Sequence, residues 1–394
     1  MIPMKLKQDD IITAVIADYG MEGEGIARLG EYTVFIPFAI KGETVKAKVT
    51  YVRKNLVFAD LKEIITPSDK REKYECNRFM RCGGCDLLHL NYCEQLEIKQ
   101  KNVINLLHKN AKIDFPVDPA VPSPKTLAYR NKIQLPFGTV NGKVAVGFYK
   151  ENTHKIVSIT KCFLHGDWVE RLISVFLEFA SSNNLTAYDD ATRTGLLRHL
   201  VARYIDGKIS IVLVINGQTL PFSEKLTNHL DAAFSDAYSL YISPKTEPDN
   251  VVMGKSVYPL VERDFTINIM GIELAINPYS FLQLNDDVRD LIYSRVISEI
   301  EKTSPSVVID AYAGVGLMGA VLAKRGSVVY NIEIVPEAVR DAEKLAASNN
   351  LSSLITNIEG DAAKELPKLI KDILGNQNLK NRSLNIILDP PRKG

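Results

Sequence analysis

The run VVIDAYAGVGLMG at 307–319 constrains this chain more than any other. An apolar strand breaks at Asp310 into a turn holding Gly314 and Gly316, and the turn opens a helical pattern. A strand feeding a helix in this way returns as a parallel neighbour in the same sheet. The neighbours follow: VVYNIE (328–333), LITNIEGD (354–361) and LNIILDP (384–390) read as strands. Helices are predicted at 317–325, 336–349 and 362–374. From residue 251 onward the alternation is that of an open parallel α/β sheet.

The preceding chain has a different character. IITAVIADYG, EYTVFIPFAI, ETVKAKVTYVRK and LVFADLKEII alternate apolar and polar residues between glycine-bearing turns. Such a succession of short strands suggests a small closed barrel of the OB type over residues 1–66. YCEQLEIKQKNVINLLHK predicts a helix with Leu96, Val103, Ile104, Leu106 and Leu107 as its apolar stripe. Residues 121–245 mix strands with a helix from Asp167 to Asn183, an α+β pattern. SPKTEPDN (243–250), rich in Pro and charge, reads as the linker that closes a central domain spanning 67–250.

A length of 394 residues, with 46% hydrophobic and 24% charged, suits two or three globular domains and excludes disorder. No run of about 18 apolar residues occurs, and MIPMKLKQDD lacks the apolar core of a signal peptide. A cytoplasmic protein with no membrane partner is expected. The net charge of +1 conceals a surplus: residues 71–165 carry 15 basic and 8 acidic side chains. A patch of that sign can attract a polyanion, although a solvated surface reads the same way.

All five cysteines fall within that basic stretch, Cys76, Cys82, Cys85 and Cys93 before residue 120 and Cys162 near its end. Three of them sit in CNRFMRCGGC, where two glycines let the backbone fold tightly. Three thiolates require a fourth to close a four-coordinate site, and Cys93 and Cys162 are the candidates. Zinc and an iron–sulfur cluster both accept four thiolates, and the spacing does not choose between them. Cys93, within the helical pattern, reads better as a small buried apolar residue.

The strand ends of 307–390 carry matching chemistry. The turn glycines permit close approach of a nucleoside. Glu333, about 20 residues on, can accept hydrogen bonds from both ribose hydroxyls. Asp361 can meet an adenine amino group, and the fourth strand ends in DPPR. This combination is typical of S-adenosylmethionine-dependent methyltransferases rather than dinucleotide oxidoreductases.

EGEGIARLGEYTVFIPFAIKGETVKAKV, RCGGCDLLHLNYCEQLEIKQ, YRNKIQLPFG, LLRHLVARY, NPYSFLQLN, DAYAGVGLMG and LDPPRKG together resemble the RNA uracil-5-methyltransferases. The resemblance is to the TRAM-domain, iron–sulfur branch acting on 23S ribosomal RNA, and it covers nearly the whole chain. It implies a TRAM OB-like barrel (1–66), a central α+β iron–sulfur domain (67–250) and a Rossmann-like methyltransferase domain (251–394). It further implies a 4Fe–4S cluster on Cys76, Cys82, Cys85 and Cys162. S-adenosylmethionine would be held by Gln283, Tyr312, Glu333 and Asp389, with Gln283 at the methionine end and Tyr312 against the cofactor. In the family's reaction a Cys thiolate adds to C6 of a flipped uracil, C5 takes the methyl group, and a base removes the C5 proton.

The family's nucleophilic Cys lies in a motif resembling SCNP on a later strand, with the base further on. Both are expected beyond Gly394, so the methyltransferase domain is expected to be incomplete and the chain as written to bind cofactor weakly and RNA without methylating. The fourth strand is expected to be an apolar edge. A monomer is expected. The competing readings are a non-catalytic RNA-binding iron–sulfur protein and a tRNA uracil-5-methyltransferase. The second is disfavoured on the understanding that the tRNA branch lacks both the barrel and the cluster cysteines.

Overall fold

The computed structural model describes residues 5–151 and 153–391, which form two compact units, Met1–Thr126 with Gly147–Ile159 and Leu127–Val146 with Thr160–Gly394.

In the first unit, β1 (Ile11–Tyr19), β2 (Gly25–Leu29), β3 (Tyr32–Ile36), β4 (Thr44–Arg53) and β5 (Leu56–Thr66) close a barrel in the order β1-β2-β3-β5-β4. Strand alternation sets its register. Val45, Ala47 and Val49 are fully buried, whereas Lys46 and Lys48 between them point outward. A one-residue slip would expose every valine. Buried Glu43 fastens the chain beyond the barrel, taking hydrogen bonds from Arg71 at 2.6 and 2.8 Å and from the Ile40 amide at 3.0 Å. The cysteine-bearing stretch follows as turns without regular structure. It ends at α1 (Tyr92–Leu106), whose N-cap Asn91 accepts from the Glu94 amide at 2.9 Å.

Helix α1 departs from its expected stripe. Val103, Ile104 and Leu106 are exposed, while Glu94 and Ile98 are the buried positions. Glu94 carries an ion pair with Lys70, so a charged residue takes a core position that periodicity assigns to leucine.

In the second unit, β6 (Lys132–Val140), β7 (Lys143–Tyr149), β9 (Leu197–Ile205), β10 (Lys208–Ile215), β11 (Tyr238–Pro244) and β12 (Tyr258–Val261) form a sheet in the order β12-β11-β10-β9-β6-β7. The last residues of β7 pair instead, within the first unit, with β8 (Ile156–Ser158). Helix α2 (Trp168–Ser182) buries Val169, Leu172, Ile173, Phe176 and Phe179, the spacing of one helical face. It packs beside α3 (Ser223–Phe234), the crossover between the parallel strands β10 and β11. The 243–250 stretch is not a free linker. Lys245 is buried and paired with Asp249 at 2.5 Å, Arg198 donates to the Lys245 carbonyl, and β12 returns to pair with β11. Prolines and charges there make a folded turn, because its charged groups find partners within the unit.

The rest of this unit comprises the hairpin β13 (Thr266–Ile269) and β14 (Ile272–Ala275), α4 (Asp286–Glu301), β15 (Ser306–Asp310), α5 (Leu317–Ala323), β16 (Val328–Glu333), α6 (Pro336–Ser348), β17 (Ile355–Glu359), α7 (Ala362–Gly375) and β18 (Ser383–Ile387). The last four strands are parallel in the order β17-β16-β15-β18. Both faces are covered. Val307, Ile309 and Ile332 pack against α7, while Val308 and Val329 face α5, α6 and the hairpin. That explains why these strands read as continuous apolar runs rather than alternating ones. Among the described residues β18 ends the sheet, with Ile386 exposed and Leu388 just beyond it also exposed. No helix among the described residues is long and apolar enough to cross a membrane.

Candidate cofactor site at the tips of the parallel strands

The turn between β15 and α5 is built by its glycines. Gly314 and Gly316 have φ of +55° and +74°, a region that a Cβ disfavours by roughly 1–2 kcal/mol. Their surroundings differ. A Cβ on Gly316 would come within 2.8 Å of Asn331 Nδ2 and 3.0 Å of the Ala342 Cβ, so this glycine lets α5 pack closely on β16 and α6. A Cβ on Gly314 would meet nothing within 4 Å, so the turn is open on that side.

Glu333, at the tip of β16, faces the turn. Its Oε2 accepts from the Gly314 amide at 2.8 Å and its Oε1 from the Val335 amide at 2.9 Å. Both oxygens are thus oriented, and each keeps a lone pair for a further donor. Asp310 ends β15 almost completely buried, with the Tyr312 amide donating to its carboxylate. Burial, with the negative charges of Asp389 and Glu333 beside it, pushes its pKa up to about 6. Tyr312 is 38% exposed, and Asp389 is exposed beyond β18. The sheet therefore gathers Tyr312, Glu333 and Asp389 at one edge. It adds Asp310, whose place at the head of DAYAGVG is visible in the sequence without marking it as functional. Tyr293 of α4 joins this group, its hydroxyl pushed up to about 12 first by burial and then by the charge of Asp310.

Asp361 serves the fold itself, capping α7 by accepting from the Ala363 amide at 3.0 Å.

Gln283 is carried by the loop 276–285, which the central sheet of the same unit anchors. Asn131, at the start of β6, donates to the Gln283 carbonyl at 2.9 Å and to Asp286 at 2.9 Å, and its amide donates to the Leu284 carbonyl at 2.9 Å. Buried Arg203 of β9 donates to the Ser280 carbonyl at 3.2 Å. Thus YRNK and LVARY, far apart in sequence, converge on one loop. Asn285 begins α4 as its N-cap, accepting from Val288 at 3.1 Å, with Asp286 and Asp287 in the first turn. That signature of α4 is legible in the sequence.

Val315, between the two turn glycines, lines a cavity of about 540 Å³ with Asn277 and Ser280 of the same loop and Asp341 of α6. This is the size of a small-molecule site. Tyr312, Glu333 and Asp389 are not among its walls.

An S-adenosyl group fits the donor set at the strand tips: an oriented carboxylate for vicinal hydroxyls, an open glycine turn and an accessible aromatic ring. The thiols present a weaker case. Cys76, Cys82 and Cys85 are each half-buried on one irregular segment, and Cys162, half-buried, belongs to the other unit. Burial pushes the Cys82 thiol up, and the charge of Cys76 adds to that rise. Among the described residues no group of three or more His, Cys, Asp or Glu side chains is arranged to hold a metal ion. Cys93 is exposed in the first turn of α1, contrary to its expected burial, because the buried face of that helix is set by Glu94 and Ile98.

The family model of the TRAM domain matches residues 8–62, the barrel. A protein of Clostridium tetani described as an uncharacterized RNA methyltransferase is 33% identical over 99% of this chain and 84% of its own length. One of Bacillus cereus with the same description is 31% identical, again over 99% and 84%. The solved tRNA (uracil-54, C5)-methyltransferase of Pyrococcus abyssi, in complex with S-adenosyl-L-homocysteine, has a similar fold. Its TM-score is 0.73 at 24% identity, covering 97% of this chain and 84% of that one. Coverage of that extent takes in the barrel, so absence of a barrel does not set tRNA-acting enzymes apart. With relatives above 30% identity along almost its entire length, the chain belongs to the TRAM-domain RNA methyltransferases.

Proposed function

We propose that this protein transfers a methyl group from S-adenosylmethionine to C5 of a uridine in 23S ribosomal RNA, acting as a cytoplasmic monomer. The observation that carries the cofactor assignment is Glu333, held by the Gly314 and Val335 amides at the tip of β16. Glu333 accepts the ribose hydroxyls, Tyr312 lies against the cofactor, Gln283 meets its methionine end, and Asp389 stands between cofactor and target base. The bound cofactor supplies an electrophilic methyl group. The chain's own contribution is to orient it with donors and acceptors already fixed, which reduces the reorganisation needed on binding. Uracil C5 is a poor nucleophile, so the reaction requires covalent activation at C6 by a thiolate, and the target base must leave its stack. That thiolate and the base that follows it are not among the residues assigned here.

Within this proposal residues 1–66, 67–250 and 251–394 are the RNA-binding, central and methyl-transfer parts. Cys76, Cys82, Cys85 and Cys162 are assigned to a 4Fe–4S cluster, supported by the resemblance and by three half-buried thiols on one segment. Broad visible absorption after anaerobic purification, lost in Cys82→Ser and kept in Cys93→Ser, is the expected result. A colourless protein binding stoichiometric zinc contradicts it.

A second reading, methylation of tRNA, is favoured by the fold shared with the Pyrococcus abyssi enzyme. Deleting the gene, then digesting purified 23S ribosomal RNA and tRNA for mass spectrometry, separates the two. Loss of 5-methyluridine from 23S RNA alone is expected. Loss from tRNA establishes the second reading, and loss from neither refutes both.

A further inference from the structure

Asp310 is 4% exposed at the end of β15, and among the described residues no lysine, arginine or histidine pairs with it. Its carboxylate accepts from the Tyr312 amide, and the charges beside it, Asp389 and Glu333, both repel it. Strand register brings the three together. Asp310 pairs with Asn331 of β16 and with Ile387 of β18, and Glu333 and Asp389 each lie two residues further along. From α4, Tyr293 feels the charge of Asp310. Arg289, whose charge also reaches Tyr293, is held by Asp286 at 2.6 Å and by Asp290 at 2.8 Å.

A buried carboxylate without a cation destabilises a fold. Elsewhere the chain avoids that penalty: buried Glu43 is paired with Arg71, and buried Glu94 with Lys70. Asparagine at position 310 would fill nearly the same volume and keep an acceptor for the Tyr312 amide, without the charge. The charge itself is explained by a cation that arrives from outside. The cofactor assigned to these strand tips carries one, a sulfonium, which loss of the methyl group converts to an uncharged thioether.

We propose that Asp310 is a specificity-determining residue whose charge makes the site prefer S-adenosylmethionine over S-adenosylhomocysteine. A carboxylate shielded from water acts over several ångströms with little screening, whereas an exposed one does not. Asp310 meets that condition, and exposed Asp389 does not. The two ligands share their nucleoside and amino-acid parts and differ by one methyl group and one charge. Once the methyl group has left, the attraction is gone and fresh cofactor displaces the product. Burial, with Asp389 and Glu333 beside it, holds the Asp310 pKa at about 6. A cation nearby favours the ionised form, so near pH 6 cofactor binding releases a proton that product binding does not. This rests on the S-adenosylmethionine reading and specifies which of two closely similar ligands the site retains.

The test is calorimetric titration of the intact chain with S-adenosylmethionine and with S-adenosylhomocysteine, in wild type, Asp310→Asn and Asp389→Asn. At pH 7 the Asp310→Asn affinity for S-adenosylmethionine is expected to fall about tenfold, and that for S-adenosylhomocysteine by about twofold or less. In Asp389→Asn the ratio of the two affinities should stay within about threefold of wild type. Titrations at pH 6 in two buffers of different ionisation enthalpy should show proton release with S-adenosylmethionine in wild type and none in Asp310→Asn. The melting midpoint of Asp310→Asn at pH 7 should not fall below wild type, which separates the effect from a folding defect. Equal weakening for both ligands, or an unchanged ratio, overturns the role of Asp310. So does a preference lost in Asp389→Asn and kept in Asp310→Asn, and so does absence of proton release in wild type, which needs no variant. No binding of either ligand to wild type overturns the cofactor reading itself.

Discussion

The Gly314 amide donates to Glu333 Oε2 at 2.8 Å, so the glycine turn after β15 and the acid at the end of β16 form one unit. Removing the acceptor affects the turn before any cofactor arrives. In Glu333→Ala the Gly314 and Val335 amides lose their partner, and a loss of about 1–3 kcal/mol in unfolding free energy is expected. Hydrogen exchange at the Gly314 amide should accelerate in this variant while the core of β15 stays protected.

The two glycines separate packing from cofactor approach. Gly316→Ala combines left-handed strain with a Cβ forced onto Asn331 and Ala342, for an expected cost of about 2–4 kcal/mol in denaturant unfolding. Gly314→Ala incurs the strain alone, about 1 kcal/mol, yet places a methyl group in the open side of the turn. It should therefore weaken S-adenosylhomocysteine binding more than it lowers stability.

Asn131 acts on the site through the loop that bears Gln283. Its side chain has both a carbonyl and a carboxylate to satisfy, so Asn131→Leu leaves two acceptors without their donor. An expected loss of about 2–4 kcal/mol in stability follows, with a parallel fall in cofactor affinity. Asn131→Asp, which sets a second negative charge against Asp286, should be worse at pH 7 than at pH 5. Calorimetric titration of the variants at both pH values checks the order.

Stability should decline in acid for an identifiable reason. His89, His165 and His199 are buried, which lowers their pKa values to about 4 from an ordinary 6.5. Their contribution is complete above pH 6.5 and is lost as pH falls toward 4. Asp310 has the opposite sign. Its pKa is raised to about 6, so it destabilises the fold above that pH and ceases to do so as the pH falls toward its unfolded value. Three histidines outweigh one aspartate, and a net loss of at least a few kcal/mol between pH 6.5 and 4 is expected in urea unfolding. Among the described residues His89 has no hydrogen-bond partner for either ring nitrogen, and it lies against Phe38 and Phe79, so His89→Phe should flatten the decline. Asp310→Asn should raise stability at pH 7 with little change at pH 4.

The parallel sheet was legible because buried strands leave continuous apolar runs punctuated by glycine, and its helix limits fall within two residues of expectation. The position of Glu333 was legible because it ends the strand that follows the glycine turn, and the structure sets its carboxylate against that turn. Less legible were features decided by partners distant in sequence. Asn131 and Arg203 hold the Gln283 loop from strands more than 70 residues away. Lys245 and Glu94 sit buried because particular ions face them, which periodicity cannot show.

The central claim is that the tips of β15, β16 and β18 hold S-adenosylmethionine. Calorimetric titration of the intact chain with S-adenosylhomocysteine, alongside Glu333→Gln, tests it most directly. One site per chain is predicted, weakened about 10- to 100-fold in Glu333→Gln by loss of a charged acceptor for the ribose hydroxyls. Binding of equal strength in wild type and variant, or no binding to either, would contradict the account.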